Sequence, residues 1–145
     1  MKKIEQSIVI NRPVEEVFAF YTDLSNSTQW ETGVLEARQT NEGPSGVGTT
    51  WKGVRQNLGR RFEQIVEVTE WEPNRKASYE STSKPFPMQA SFSFESIEGT
   101  TRITVVANVQ FSGLFKLVKP IVIRMVNKQI EANFQNLKKL LEARV

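Results

Sequence analysis

The chain has 145 residues, 39% of them apolar and 24% charged, with 19 Lys and Arg against 16 Asp and Glu (net charge +3) and neither cysteine nor histidine. That length suits one domain with its own core, residues 1–145, and the apolar share and modest charge argue against a disordered tail. The two missing residue types exclude a disulfide framework, a thiol nucleophile, a Ser-His or Cys-His pair and a thiolate or imidazole zinc site, while a carboxylate cation site and acid/base work by Asp, Glu, Lys or Tyr stay open.

Ile4, Gln6, Ile8 and Ile10 alternate with Lys3, Glu5, Ser7 and Val9, which predicts an opening strand. Asn11-Arg12-Pro13 then offers a cap and a first-turn proline for a helix carrying Val14, Val17, Phe18 and Tyr21 at helical spacing. Glu15 and Glu16 sit favourably at its positive N-terminus. A second short helix or turn, opened by Asp23 or Ser25, runs from Leu24 to Trp30.

Strands follow near 34–41, 49–58, 61–71, 76–83, 88–97 and 101–111. The turns between them are Gly43-Pro44-Ser45-Gly46-Val47-Gly48, Asn57-Leu58-Gly59, Glu72-Pro73-Asn74, Pro85-Phe86-Pro87 and Glu98-Gly99. Such short connections predict consecutive antiparallel hairpins. In the last strand Ile103, Val105, Ala107, Val109 and Phe111 form the buried face. Gly113 turns the chain into a long C-terminal helix whose apolar stripe is Leu117, Ile121, Met125, Ile130, Phe134, Leu137 and Leu141, with Pro120 kinking or restarting it.

The result is an α+β chain of seven strands, in which a curved antiparallel sheet wraps around the final helix and two short helices follow the first strand. A helix laid across a twisted sheet need not fill the space beneath it, so a pocket is the expected by-product.

Residues Met1 to Gln6 lack the apolar core of a signal peptide, and no apolar run approaches the ~20 residues of a transmembrane segment. The expected location is cytoplasmic. The densest bases, Lys116, Lys119, Arg124, Lys128, Lys138, Lys139 and Arg144, read as the solvated face of a helix, and no specific nucleic-acid partner is expected.

Several motifs together resemble the SRPBCC superfamily (START-like, polyketide cyclase/dehydrase and lipid transport). They are Ile10-Asn11-Arg12-Pro13-Val14-Glu15-Glu16-Val17-Phe18 with Thr22-Asp23 and Trp30, Gly46-Val47-Gly48-Thr49, Val66 to Arg75, and Asn136 to Glu142. The resemblance covers almost the whole chain. It implies the helix-grip fold, a deep hydrophobic cavity, and binding of lipids, hormones or polycyclic molecules. Only some relatives are enzymes.

Trp30, Trp51, Tyr79, Phe92, Phe94, Phe111 and Phe134 are candidates to line such a cavity, although each also reads as plain core packing. Met125 suits an adaptable wall. Arg55 shares strand parity with Trp51, and Gln64 with Phe62, Val66 and Val68, so both are candidate polar contacts, as are Gln129 and the Tyr79 hydroxyl. An inward Arg55 suits a ligand carboxylate or phosphate. Glu63, Glu67, Glu70 and Glu72 are dense enough for acid/base work, but Glu63 and Glu67 alternate with Phe62, Val66 and Val68, which points to the solvent side. The Gly43–Gly48 loop leads into a strand and lacks a following Lys-Ser/Thr, so it is a turn rather than a phosphate cradle.

The leading expectation is binding, with transport or sequestration, of a small hydrophobic ligand such as a lipid or polyketide-like molecule, needing no metal and no cofactor. Two other classes stay open: a cyclase, aromatase or dehydratase working without imidazole, and a protein-interaction module. Monomer and dimer are both compatible with the sequence.

Overall fold

The structure, a computed structural model, describes residues 4–57, 59–82 and 87–144. β1 (Ile4–Ile10) opens the chain with Ile4, Ile8 and Ile10 buried and Glu5, Ser7 and Val9 exposed. Gln6 shares the inner face, and its amide is used rather than wasted: Nε2 donates to the Asn127 carbonyl at 2.6 Å and to Asn127 Oδ1 at 2.9 Å.

α1 (Val14–Thr22) follows. Asn11 does not cap it. Extended Pro13 (φ −62°, ψ 149°) takes the cap position without a side-chain bond, and the Asn11 N–H instead donates to Glu142 Oε2 at 2.8 Å. Val14, Val17, Phe18 and Tyr21 are buried as their spacing predicts, joined by Phe20 and Thr22. Asp23 then caps a 3₁₀ turn over Leu24–Gln29, its Oδ1 accepting from the Ser25 N–H at 3.2 Å.

Six strands come next: β2 (Val34–Gln39), β3 (Thr50–Asn57), β4 (Arg60–Glu72), β5 (Lys76–Ser81), β6 (Met88–Ile97) and β7 (Thr100–Val109). With β1 they form one antiparallel sheet in the order β1-β7-β6-β5-β4-β3-β2, so only β1 and β2 are edges. Strand bounds fall within two residues of those expected. Phe111 lies just beyond β7, half-buried against the core. The Glu98-Gly99 turn places both residues at positive φ (48° and 83°), the geometry that a two-residue hairpin requires. Register shifts at Val68/Glu70 in β4 and at Val34/Glu36 in β2 bend the sheet toward its concave side. The expected rim at Pro85-Phe86-Pro87 lies, apart from Pro87, outside the described residues, as does Leu58 of the β3–β4 turn.

After a 3₁₀ turn over Gly113–Val118, Pro120 sits in the first turn of α2 (Lys119–Glu142) and starts a new helix. The apolar stripe needs a correction. Phe134, Leu137 and Leu141 are buried, whereas Leu117, Ile121 and Met125 are 79%, 62% and 59% exposed. The step from Met125 to Ile130 is five residues, a turn of about 140° away from the face that steps of three or four would follow. Ile123, Val126 and Ile130 continue the inner face instead, each partly buried.

The far end of α2 is fastened to the start of the chain. Lys138 Nζ donates to the Val9 carbonyl at 2.6 Å and to Glu142 Oε2 at 2.8 Å, and Arg12 Nη1 donates to the Arg144 carbonyl at 2.9 Å. Lys138, followed by the Asn11 N–H, holds the Glu142 carboxyl below its ordinary range. A depressed carboxyl adds stability above its unfolded pKa and loses it as pH falls through the folded value. Glu142→Gln is therefore expected to flatten the acid side of the stability profile, read as urea midpoint against pH. Leu137, fully buried, is expected to cost about 3 kcal/mol in Leu137→Ala, measured by urea unfolding.

Candidate functional site

An aromatic cluster closes one end of the space between sheet and helix. Phe18 meets Trp71 and Phe94 edge-on at 5.2 and 5.0 Å. Tyr21 contacts Phe92 at 4.7 Å, Trp30 at 5.3 Å and Phe94 at 5.8 Å. Beyond that cluster the side chains shrink. Ala90 of β6 and Ala107 of β7 are direct cross-strand partners, and with Val105 they form a floor that leaves the space above them unfilled. The opening is a cavity of about 240 Å³. Phe92, Trp30, Tyr21 and Phe134 form its aromatic end, Phe62 and Met88 another wall, and Val126, Gln129, Ile130 and Asn133 of α2 its roof.

One wall is polar. Arg55 and Gln64 face inward from paired strands, and Arg55 Nε donates to Gln64 Oε1 at 2.8 Å. Gln64 Nε2 in turn donates to Ser81 Oγ at 3.0 Å. Arg55 Nη2 forms an ion pair with Glu31, which leads out of the 3₁₀ turn. The arginine thus already has a carboxylate partner within the protein, so this wall carries no net charge. Trp30 adds a buried Nε1–H with no acceptor among the described residues.

α2 is strapped to the same turn by a ladder of side chains at positions 129, 133 and 136. Asn133 Oδ1 accepts from the Thr32 N–H at 3.0 Å, and Asn136 Nδ2 donates to the Trp30 carbonyl at 3.1 Å. Gln129 Nε2 reaches the Thr32 carbonyl at 3.5 Å, a weak contact. Asn133 is buried because both ends of this strap are protein.

Of the residues singled out from sequence, Trp30, Arg55, Gln64, Phe92, Gln129 and Phe134 line the cavity. Trp51 is buried in an adjoining recess of about 60 Å³, behind the wall of Glu31, Arg55 and Gln64. Phe94 packs deeper in the aromatic cluster. Tyr79 lies beneath Phe92, ring to ring at 5.9 Å, with its hydroxyl buried and unpartnered among the described residues. Burial raises the pKa of Tyr79, and of Tyr21 too, so both are neutral donors at physiological pH. Phe111 and Met125 are not on the cavity wall. Glu63 pairs with Lys52, and Glu70 with Ser78 and Lys76, on the outer face, while Glu67 is exposed. The Gly43–Gly48 segment is closed by Asn41, whose Nδ2 donates to the Gly48 carbonyl at 2.9 Å.

Among the lining residues absent from the sequence candidates are Glu31, Ala90, Ala107, Val126 and Asn133. For Ala90 and Ala107 the available signal was a small residue at an inward position of two neighbouring strands.

Residues 1–142 match the pattern of the polyketide cyclase/dehydrase and lipid-transport family. No curated protein sequence matches the chain. Among solved structures it is similar to TTHA0849 from Thermus thermophilus (16% identity, TM-score 0.80, 99% of this chain and 100% of that one). It is likewise similar to Ara h 8.0201 (15%, 0.78, 99% of each). The di-domain ARO/CYC BexL from the BE-7585A biosynthetic pathway aligns at 15% identity and TM-score 0.82 over 98% of this chain. The chain spans about half the length of that protein, 47%. At these identities the likeness shows the fold, a helix grip.

Removing the arginine alone leaves the Glu31 carboxylate without its partner in a mostly apolar space. Arg55→Met is expected to cost about 2 kcal/mol, less than for a fully buried pair because both side chains keep about a fifth of their exposure. Adding Glu31→Leu should recover most of that loss in urea unfolding. A neutral Arg55→Met would show that the pair does not anchor this wall.

Proposed function

Because the chain belongs to the polyketide cyclase/dehydrase and lipid-transport family, we propose that it binds a small, uncharged, largely apolar molecule between the sheet and α2. The observation that carries this reading is the chemistry of the lining: predominantly apolar and aromatic, its polar side chains being the neutral Gln129 and Asn133 of the roof and one wall on which Glu31 cancels the charge of Arg55. Burial of ligand carbon against Ala90, Ala107, Phe92 and Ile130 supplies the drive, at roughly 25 cal/mol per Å² before the costs of association.

The polar wall selects what the ligand carries. Glu31 already neutralises Arg55, so an anionic head group would have to compete with a carboxylate held in place. A carbonyl or hydroxyl oxygen meets no such competitor. It can accept from a remaining guanidinium N–H of Arg55, whose side chain keeps about a fifth of its exposure, and a planar body can stack within the aromatic end. The ligand class is therefore a ring system or hydrocarbon bearing a neutral oxygen acceptor, in place of the carboxylate or phosphate that an unpaired Arg55 would favour.

The test fills the floor. Ala107→Leu adds three carbons to a side chain that is 1% exposed beside the cavity. It is expected to weaken binding of a neutral apolar probe such as Nile red by roughly tenfold or more, followed by fluorescence titration, while the urea midpoint stays near that of the parent. Native mass spectrometry of the purified protein would reveal any co-purified neutral molecule. Unchanged Nile red affinity in a folded Ala107→Leu variant would falsify the placement of the ligand in this cavity.

A further inference from the structure

The half of the final helix that roofs the cavity presents a second apolar surface on its outside. Leu114 and Leu117 of the 3₁₀ turn and Ile121 and Met125 of α2 are 84%, 79%, 62% and 59% exposed, among the most exposed large apolar side chains described. Single exposed apolar residues are ordinary, but a run of them along one segment marks a surface that meets something other than water. The charge around them is one-sided. No Asp or Glu occurs between Glu98 and Glu131, while Lys116, Lys119, Arg124 and Lys128 all fall inside the segment. Among the described residues none of these four forms an ion pair.

The two kinds of residue share a face. Positions 121, 124, 125 and 128 are related by steps of three and four, so Ile121, Arg124, Met125 and Lys128 form one outward stripe on α2. Lys119, Arg124 and Lys128 also line an open groove of about 700 Å³ running toward Gln6 of β1, in which Glu131 is the one acid.

We propose that this face docks on the surface of an anionic phospholipid bilayer. The apolar side chains would enter the head-group boundary while the lysines and arginine meet lipid phosphates and carboxylates from the groove and its rim. Exposed apolar side chains flanked by bases that outnumber the single acid, Glu131, are the pattern of an interfacial helix. No helix among the described residues is long and apolar enough to cross a membrane, so the contact is one of surface docking. A second copy of the chain fits this face poorly, because a two-fold contact sets the same bases against each other. Docking does not depend on what occupies the cavity, although Met125 lies one turn before Gln129 of the cavity wall and so brings the bilayer close to the roof.

The experiment is co-sedimentation of the full chain with vesicles of phosphatidylcholine alone and of phosphatidylcholine mixed with phosphatidylserine. Binding is expected to the mixed vesicles only and to fall as salt is raised. Arg124→Gln combined with Lys128→Gln should lower partitioning roughly 25-fold, about fivefold for each charge. Leu117→Ser combined with Met125→Ser should lower it by roughly tenfold or more, with circular dichroism unchanged because both side chains face outward. Absence of binding to the mixed vesicles overturns the proposal, as does equal binding to neutral ones or binding that survives both double variants. A dimer in sedimentation velocity that the Leu117→Ser and Met125→Ser pair dissociates would give the face to a second copy instead, and would overturn it equally.

Discussion

One helix has to cover the concave face of a seven-stranded sheet, and the rest of the structure depends on where its apolar face makes contact. The C-terminal half of α2 is seated, with Phe134, Leu137 and Leu141 buried in the core. The N-terminal half stands over Ala90, Val105 and Ala107, and its inner residues Ile123, Val126 and Ile130 are only partly covered. Close packing is the default for a protein interior, so a space bounded by small residues below and a raised helix above is a property of this sequence rather than a fault in it.

The polar wall is stabilised by enclosure of both charges together. Arg55 alone in this lining would carry an uncompensated charge, and Glu31 alone would carry the opposite one. Joined, and extended through Gln64 to Ser81, they satisfy one another across a turn and three strands. The network therefore fixes the position of the turn after α1 relative to β3, β4 and β5. The strap from Asn133 and Asn136 fixes the same turn relative to α2. Glu31, Thr32 and Trp30 are thus the point where sheet and helix are tied together, at the edge of the cavity.

Much of this was legible in the sequence, and the reasons are particular. Two-residue alternation places Ile103, Val105, Ala107 and Val109 on one face of β7, and the same rule puts Arg55 with Trp51 and Gln64 with Phe62. Glu31 was not legible, because it lies in a turn where no period relates it to Arg55, 24 positions away. Ala90 and Ala107 carry only a conditional signal. An alanine signals space only when its cross-strand partner is also small, and that depends on the β6–β7 register. The expected C-terminal stripe from Leu117 to Leu141 looked continuous because every member was apolar, yet Leu117 lies in the 3₁₀ turn before α2 and the five-residue step from Met125 to Ile130 divides the rest into two faces. The angle around the helix, and not the residue type, separates them.

That division gives α2 two apolar faces in its first half, and the consequence is mechanical. The distal half is held by buried leucines, by Lys138 on the Val9 carbonyl and by Glu142 on the Asn11 N–H. The proximal half has the Gln6–Asn127 pair on the β1 side and the long Gln129 contact on the other. A segment with few buried apolar contacts and exposed backbone opens at lower free energy than the core it adjoins. The roof of the cavity is therefore the weaker half of a helix anchored at its far end, and its inner residues Val126 and Ile130 are the ones a ligand would have to pass or displace. Burial of carbon against those residues adds to the few contacts that hold the proximal half down, so an occupied cavity and a seated roof favour each other.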